Sequence, residues 1–178
     1  MTAILSPEAV TVTSDRFRRV LAHYPTGVSV VTARTAEGAP VGMTIGTFTS
    51  ISLEPALVGF FPTKTSSTLR SIRDFGSFCV NVLADQHHDY CARFAGPADR
   101  RFEGLEWHEA PSGAPALGAA LAWIDCDIEQ ITDTGDHHLV VGRVRALDAE
   151  PARRPLLFFQ GGLGSFRPLT TDDARSER

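Results

Sequence analysis

Cysteine is scarce, with three in 178 residues: Cys79, Cys91 and Cys126. An odd number at wide spacing is neither a secreted disulfide framework nor a Cys-x-x-Cys metal site, so reduced thiols are expected. Positive charge is also short. Seventeen Lys and Arg against 21 Asp and Glu give a formal net charge of -4 and a pI near 5.8. No Lys/Arg cluster stands out, so neither nucleic acid nor an anionic membrane surface is an expected partner. No segment approaches the ~20 apolar residues that span a bilayer, and Met1 to Pro7 lacks a basic start before a long apolar run. A cytoplasmic location follows as the expectation. Several chemical signatures are missing too: there is no Gly-x-Gly-x-x-Gly between strand and helix, and no Walker-type phosphate loop. A bound dinucleotide would be held without those cradles. No Gly-x-Ser-x-Gly elbow or His-Glu-x-x-His helix is present, which argues against a serine hydrolase or a zinc protease.

What is present is a 43% hydrophobic chain, suited to one globular domain with a substantial core. The expected division is a flexible arm over residues 1–13, the domain over 14–168 and a disordered polar tail over 169–178. Phe17, Val20, Leu21 and Tyr24 follow amphipathic helical spacing, capped by Thr13 or Ser14 and ended by Pro25-Thr26-Gly27. Strands are predicted at Val28–Thr32, Val41–Thr44, Ala56–Phe61, Phe78–Leu83, Ala122–Ile128, His138–Leu147 and Leu156–Phe159. Ala122, Ile124, Cys126 and Ile128 alternate with Asp125, Asp127 and Glu129, which predicts an inner apolar face and an outer acidic one. Short helices are expected over Thr68–Asp74 and from an Asp85 cap through Tyr90 to Phe94. Residues 97–118 read as a surface excursion anchored by Phe102, Leu105 and Trp107. Roughly seven strands joined mainly by hairpin turns favour a closed antiparallel barrel over a parallel sheet.

The richest stretch for chemistry is Gly42 to Leu53, where Thr44, Thr47, Thr49, Ser50 and Ser52 supply short donors around Gly42 and Gly46. It reads either as an edge strand facing water or as a strand that a phosphate-bearing, flat ligand approaches closely. Downstream, Lys64 with Thr63, Ser66, Ser67 and Thr68 places a cation and hydroxyls at the start of a helix, where free amides favour an anion. An ordinary capping loop with a solvated lysine has the same composition. His137, after Gly135-Asp136, is a turn histidine that could cap or act. His87 and Cys91 lie four apart, but no second cluster completes a ligand set, and no metal is predicted.

Several landmarks in order resemble the short-chain NAD(P)H:flavin oxidoreductases, the reductase components of two-component flavin-dependent monooxygenases. They are Pro25-Thr26-Gly27-Val28, Val41-Gly42-Met43-Thr44, Phe48 to Pro55, Phe78 to Leu83, Arg93-Phe94, Phe102-Glu103-Gly104, Gly135-Asp136-His137 and Phe158 to Gly162. The resemblance implies a mainly β, Greek-key split barrel of the FMN-binding, flavin-reductase-like kind with a few short helices, as a homodimer. It implies hydride transfer from NADH or NADPH to FAD or FMN, with reduced flavin released to a partner oxygenase. Flavin contacts would fall to Thr44, Gly46, Thr47, Phe48, Thr49, Ser50 and Ser52, with Arg93 and Phe94 nearby. Phosphate would fall to Thr63, Lys64, Ser66, Ser67 and Thr68, and the nicotinamide to His137, Gly161 and Gly162. Two departures are visible. Gly46-Thr47 stands where many members carry Asn-Ser, and Leu163 stands where an aromatic residue is frequent. Related barrels that hold flavin tightly for another substrate, or carry flavin or haem without turnover, are the alternative readings.

Overall fold

A short capped helix opens the chain in this computed structural model, which describes residues 11–118, 120–150 and 152–169. Most of the expected arm, up to residue 10, and the tail from residue 170 lie outside the described residues. The helix, α1 (Ser14–Leu21), begins where Thr13 Oγ1 accepts the Arg16 amide at 3.3 Å. Its apolar side chains sit at the predicted spacing, yet Phe17, Val20, Leu21 and Tyr24 are 57, 60, 47 and 70% exposed. The extended run then starts earlier than predicted, with Thr26–Gly27 (β1) and Ser29–Arg34 (β2). Pro40–Ile45 (β3), Thr49–Leu53 (β4) and Ala56–Phe60 (β5) follow. Next come α2 (Ser67–Phe75), capped by Ser66 Oγ accepting the Leu69 amide at 3.2 Å, and Ser77–Leu83 (β6). The remainder is α3 (Asp89–Ala95), Trp107–Glu109 (β7), Pro115–Leu117 (β8), Ala120–Thr134 (β9), His137–Ala149 (β10), Leu156–Phe159 (β11) and Gly162–Ser165 (β12).

Seven strands form one antiparallel sheet in the order β3-β2-β6-β9-β10-β5-β4. The sheet is therefore open between β3 and β4, the split barrel that the resemblance implies, where the hairpin pattern alone favoured a closed one. β3 and β4 are the ends of the ladder, and Gly46-Thr47-Phe48 carries the chain directly from one end to the other. A side sheet, β1-β11-β12, and the β7-β8 hairpin complete a mainly β architecture. β9 is twice the predicted strand because β6 pairs with its first half while β10 runs along almost all of it.

Two larger cores flank the sheet, and a smaller one gathers Cys79, Ala110, Ala114 and Ala116. Val31, Phe60, Leu69, Ile72, Phe78 and Val140 bury α2 against it, with the Phe60 and Phe78 rings edge to face at 5.2 Å. On the other side Val30, Leu83, Phe94 and Leu117 meet Phe102, Leu105 and Trp107, so the residue 97–118 excursion is anchored by the aromatic and leucine residues predicted for it. That excursion also contains the β7-β8 hairpin, which Asn81 ties down. Its Oδ1 accepts the Leu117 amide at 2.7 Å and its Nδ2 donates to the Val30 carbonyl at 3.2 Å, all fully buried. Two local expectations fail. Asp125, assigned to the outer acidic face, is fully buried, because its Oδ2 accepts the Ser112 amide at 2.9 Å and so secures the turn before β8. Asp85 does not cap a helix: it starts a 3-10 turn, accepts Ser165 Oγ at 2.8 Å and pairs with Arg154 at 3.3 Å.

Candidate active site

The seam between β3 and β4 opens into a groove of two lobes that share Thr44, Ile45, Gly46, Thr47 and Phe61. Sequence explains why the seam is open. Gly46 and Thr47 lack the bulk to close it, and Thr47 spends its hydroxyl on Phe61, accepting the Phe61 amide at 3.0 Å. The larger lobe, about 830 Å³, is apolar, walled by Val28, Ile45, Phe48, Phe61, Phe158 and the Phe17 and Leu21 side of α1. Its size and flat apolar walls match a ring system. The smaller lobe, about 480 Å³, is lined by Thr63, Thr65, Ser66, Ser67 and Thr68 at the N-terminus of α2, with Phe94 and Arg101 opposite.

Arg101 is the cation of this polar lobe. Its Nη1 donates to the Gly42 carbonyl at 2.6 Å and to Thr68 Oγ1 at 3.2 Å, while Nη2 and Nε reach the Gly96 carbonyl at 2.9 and 3.0 Å. A guanidinium held at both ends beside a helix N-terminus and a row of hydroxyls fits an oxyanion such as phosphate. Gly42 permits this geometry, because a Cβ there would meet Phe94 Cε1 at 2.8 Å and push α3 off the edge strand. Thr44 Oγ1 completes the join by donating to the Cys91 carbonyl at 3.0 Å. Burial pushes the Cys91 thiol up, which leaves it a neutral wall of the groove.

The predicted site residues divide by place. Thr44, Gly46, Thr47, Phe48 and Thr49 line the groove, as do Thr63, Ser66, Ser67, Thr68 and Phe94. Ser50 and Ser52 lie farther along β4, paired with Val58 and Leu57. Arg93 points to the excursion and donates to the Glu103 carbonyl at 2.6 Å. Lys64 turns to the β9-β10 hairpin, with Nζ 3.2 Å from Asp133 Oδ2. His137 opens β10 with Nδ1 2.7 Å from Asp136 Oδ1, bridged to Thr63 across the loop. The ring holds the Asp136 carboxyl below the usual carboxylate range. Gly161 sits in the β11-β12 turn, and Gly162 borders a separate apolar hollow with Pro25, Leu157, Phe159 and Leu163. Sequence reading missed Arg101, Thr65, Phe61 and the α1 wall. Arg101 stands in irregular chain with no periodicity around it, and its only signal was its place beside the Phe102-Glu103-Gly104 landmark.

Among the described residues no Asp, Glu or His lines either lobe. The groove can bind, orient and exclude water, an arrangement that suits a reaction carried by the molecules it holds. Among the described residues no three His, Cys, Asp or Glu converge as metal ligands, and no helix is long and apolar enough to cross a membrane.

Comparison with known proteins agrees with this geometry. The family model described as flavin reductase like domain matches residues 21–167. A flavin reductase of Pseudomonas putida is 45% identical over 153 residues, covering 86% of this chain and 90% of its own. The reductase subunit HsaB of a flavin-dependent monooxygenase from Rhodococcus jostii is 44% identical, over 88% of this chain and 80% of its own. Among solved structures, the Streptomyces globisporus NADH:FAD oxidoreductase SgcE6, in complex with NAD and FAD fragments, superposes with a TM-score of 0.81. It is 34% identical, and the match covers 86% of this chain and 93% of that one. A ring-sized apolar lobe joined to an anion lobe, without a base, is what an enzyme needs when two cofactors do the chemistry, and by these matches the chain belongs to the flavin reductase family.

Proposed function

We propose that this flavin reductase takes hydride from NADH or NADPH, reduces FAD or FMN in the seam groove, and releases the product to the oxygenase component of a two-component monooxygenase. The observation that carries the reading is the continuity of the two lobes through Thr44 to Thr47. One lobe suits the flavin ring and the other suits the phosphate common to FMN and FAD. When bound, flavin accepts hydride at N5 from the nicotinamide C4, a two-electron transfer that needs the two rings stacked at near-attack distance.

In this reading the residues bind and orient. Thr44, Gly46, Thr47, Phe48 and Thr49 hold the ring edge and ribityl chain, with Ser50 and Ser52 extending that strand. Thr63, Ser66, Ser67, Thr68 and Arg101 receive the phosphate, and Phe94 backs them. His137, bridged to Thr63, orients the nicotinamide, with Gly161 and Gly162 on the β11-β12 hairpin. Lys64 and Arg93 support the loops around the groove. The enzyme works as a cytoplasmic homodimer, a state favoured by the exposed apolar residues of α1, β11 and β12.

The test is anaerobic NADH oxidation with added FAD or FMN, following nicotinamide loss and flavin bleaching together. Multiple turnovers that scale with free flavin are expected, and in the same assay His137→Ala should raise KM for NADH and leave KM for flavin unchanged. Bound flavin that neither NADH nor NADPH bleaches would overturn the proposal in favour of a carrier.

A further inference from the structure

Lys64 lies between Thr63 and Thr65, both of which line the polar lobe, yet its own side chain is not part of that lining. Its ammonium is instead 3.2 Å from Asp133 Oδ2 on the β9-β10 hairpin. The other carboxylate oxygen of Asp133 is engaged as well, 2.8 Å from Nδ1 of the nearly buried His138, whose Nε2 is 3.3 Å from Arg73 Nη2. Asp133 is thus shared between one buried ring and one partly exposed ammonium. The loop does not depend on this carboxylate for its position. The Lys64 amide donates to the Asp136 carbonyl at 3.1 Å, and the His138 amide donates to the Pro62 carbonyl at 3.0 Å, so main-chain bonds dock the loop on the hairpin by themselves. The carboxylate therefore governs where the ammonium points and leaves the loop in place.

We infer that Asp133 limits flavin affinity by holding the Lys64 ammonium on the hairpin, so that a flavin phosphate meets only Arg101, the hydroxyls and the start of α2. The inference rests on the reading that the polar lobe takes that phosphate. Lysine is a compact charge on a flexible stem, and an unpaired one beside an oxyanion swings toward it. A flavin reductase that delivers its product by diffusion gains from the restraint, because a second cation on the phosphate would slow release. The Lys64 ammonium holds the Asp133 carboxyl below the usual carboxylate range, which keeps that carboxylate charged at neutral pH.

The experiment is equilibrium binding of FMN and of riboflavin, which lacks the phosphate, followed by flavin fluorescence. Wild-type protein should bind FMN more tightly than riboflavin; equal affinities would overturn the phosphate reading itself. In Asp133→Ala, and in Asp133→Asn should the alanine variant not fold, the FMN Kd should fall about tenfold, as for one added charge-assisted contact. The riboflavin Kd should not move, and the gain should shrink with added salt. Asp133→Ala combined with Lys64→Met should return the FMN Kd to the wild-type value. Tighter FMN than riboflavin binding in the wild type, with no change in either Asp133 variant, would overturn the restraint alone. So would a gain that persists in the double variant.

Discussion

Arg101 lines the polar lobe, whereas Lys64, the cation to which the sequence points, has its ammonium on Asp133 of the β9-β10 hairpin. Lys64 stands in a hydroxyl-rich loop before a helix, which is the local pattern of a phosphate site. Its partner Asp133 is 69 residues away, so no local signal could show where the ammonium goes. Arg101 has no local pattern at all, and becomes visible only when α3 and the excursion fold over β3. The hydroxyls of Thr44 to Thr49 were legible because their chemistry and their position are both local. If Arg101 is the phosphate cation, Arg101→Ala should raise the KM for FMN about tenfold or more. With riboflavin the change should be much smaller, and Arg101→Lys should recover part of the FMN loss. An equal loss with both flavins in steady-state assays would place Arg101 in packing alone.

At the scale of elements, the strands were legible from their β-branched runs, and their limits were not. β9 reads as a seven-residue alternation, but pairing with β6 and β10 extends it to 15 residues. The same pairing buries Asp125, since a central strand has no water face where a hairpin lies over it. The helix α1 shows the opposite error. Its spacing is amphipathic, but periodicity reports which face is apolar and not whether anything covers it. Gly142 marks how tightly the long hairpin is packed. It lies at a register shift of β10, and a Cβ there would stand 2.3 Å from Phe78 Cζ and 2.9 Å from Cys126 Cβ. Gly142→Ala should therefore destabilise the fold by about 1–3 kcal/mol or more through forced displacement of Phe78. Urea unfolding at matched conditions checks this, and an unchanged midpoint would mean that the core yields there freely.

For the whole molecule, the exposed apolar side chains gather on α1, β4, β11 and β12, with Leu53 at 94% and Phe158 and Phe159 at 42 and 46%. A proposed homodimer that covers part of this surface should sediment at twice the chain mass at micromolar concentration. Its melting temperature should rise with protein concentration, because dissociation is coupled to unfolding. A concentration-independent monomer would contradict it. The seam between β3 and β4 also bears on how a flavin comes and goes. No ladder of the seven-stranded sheet joins β3 to β4, so a molecule lodged in the gap would act as a removable stave in a barrel whose hoops are elsewhere. Loading and unloading break no strand pairing, and the apo and loaded forms can share one backbone. With flavin held there as proposed, the protein would carry it as a passenger, its exchange limited by contacts at the groove and not by the opening of the fold.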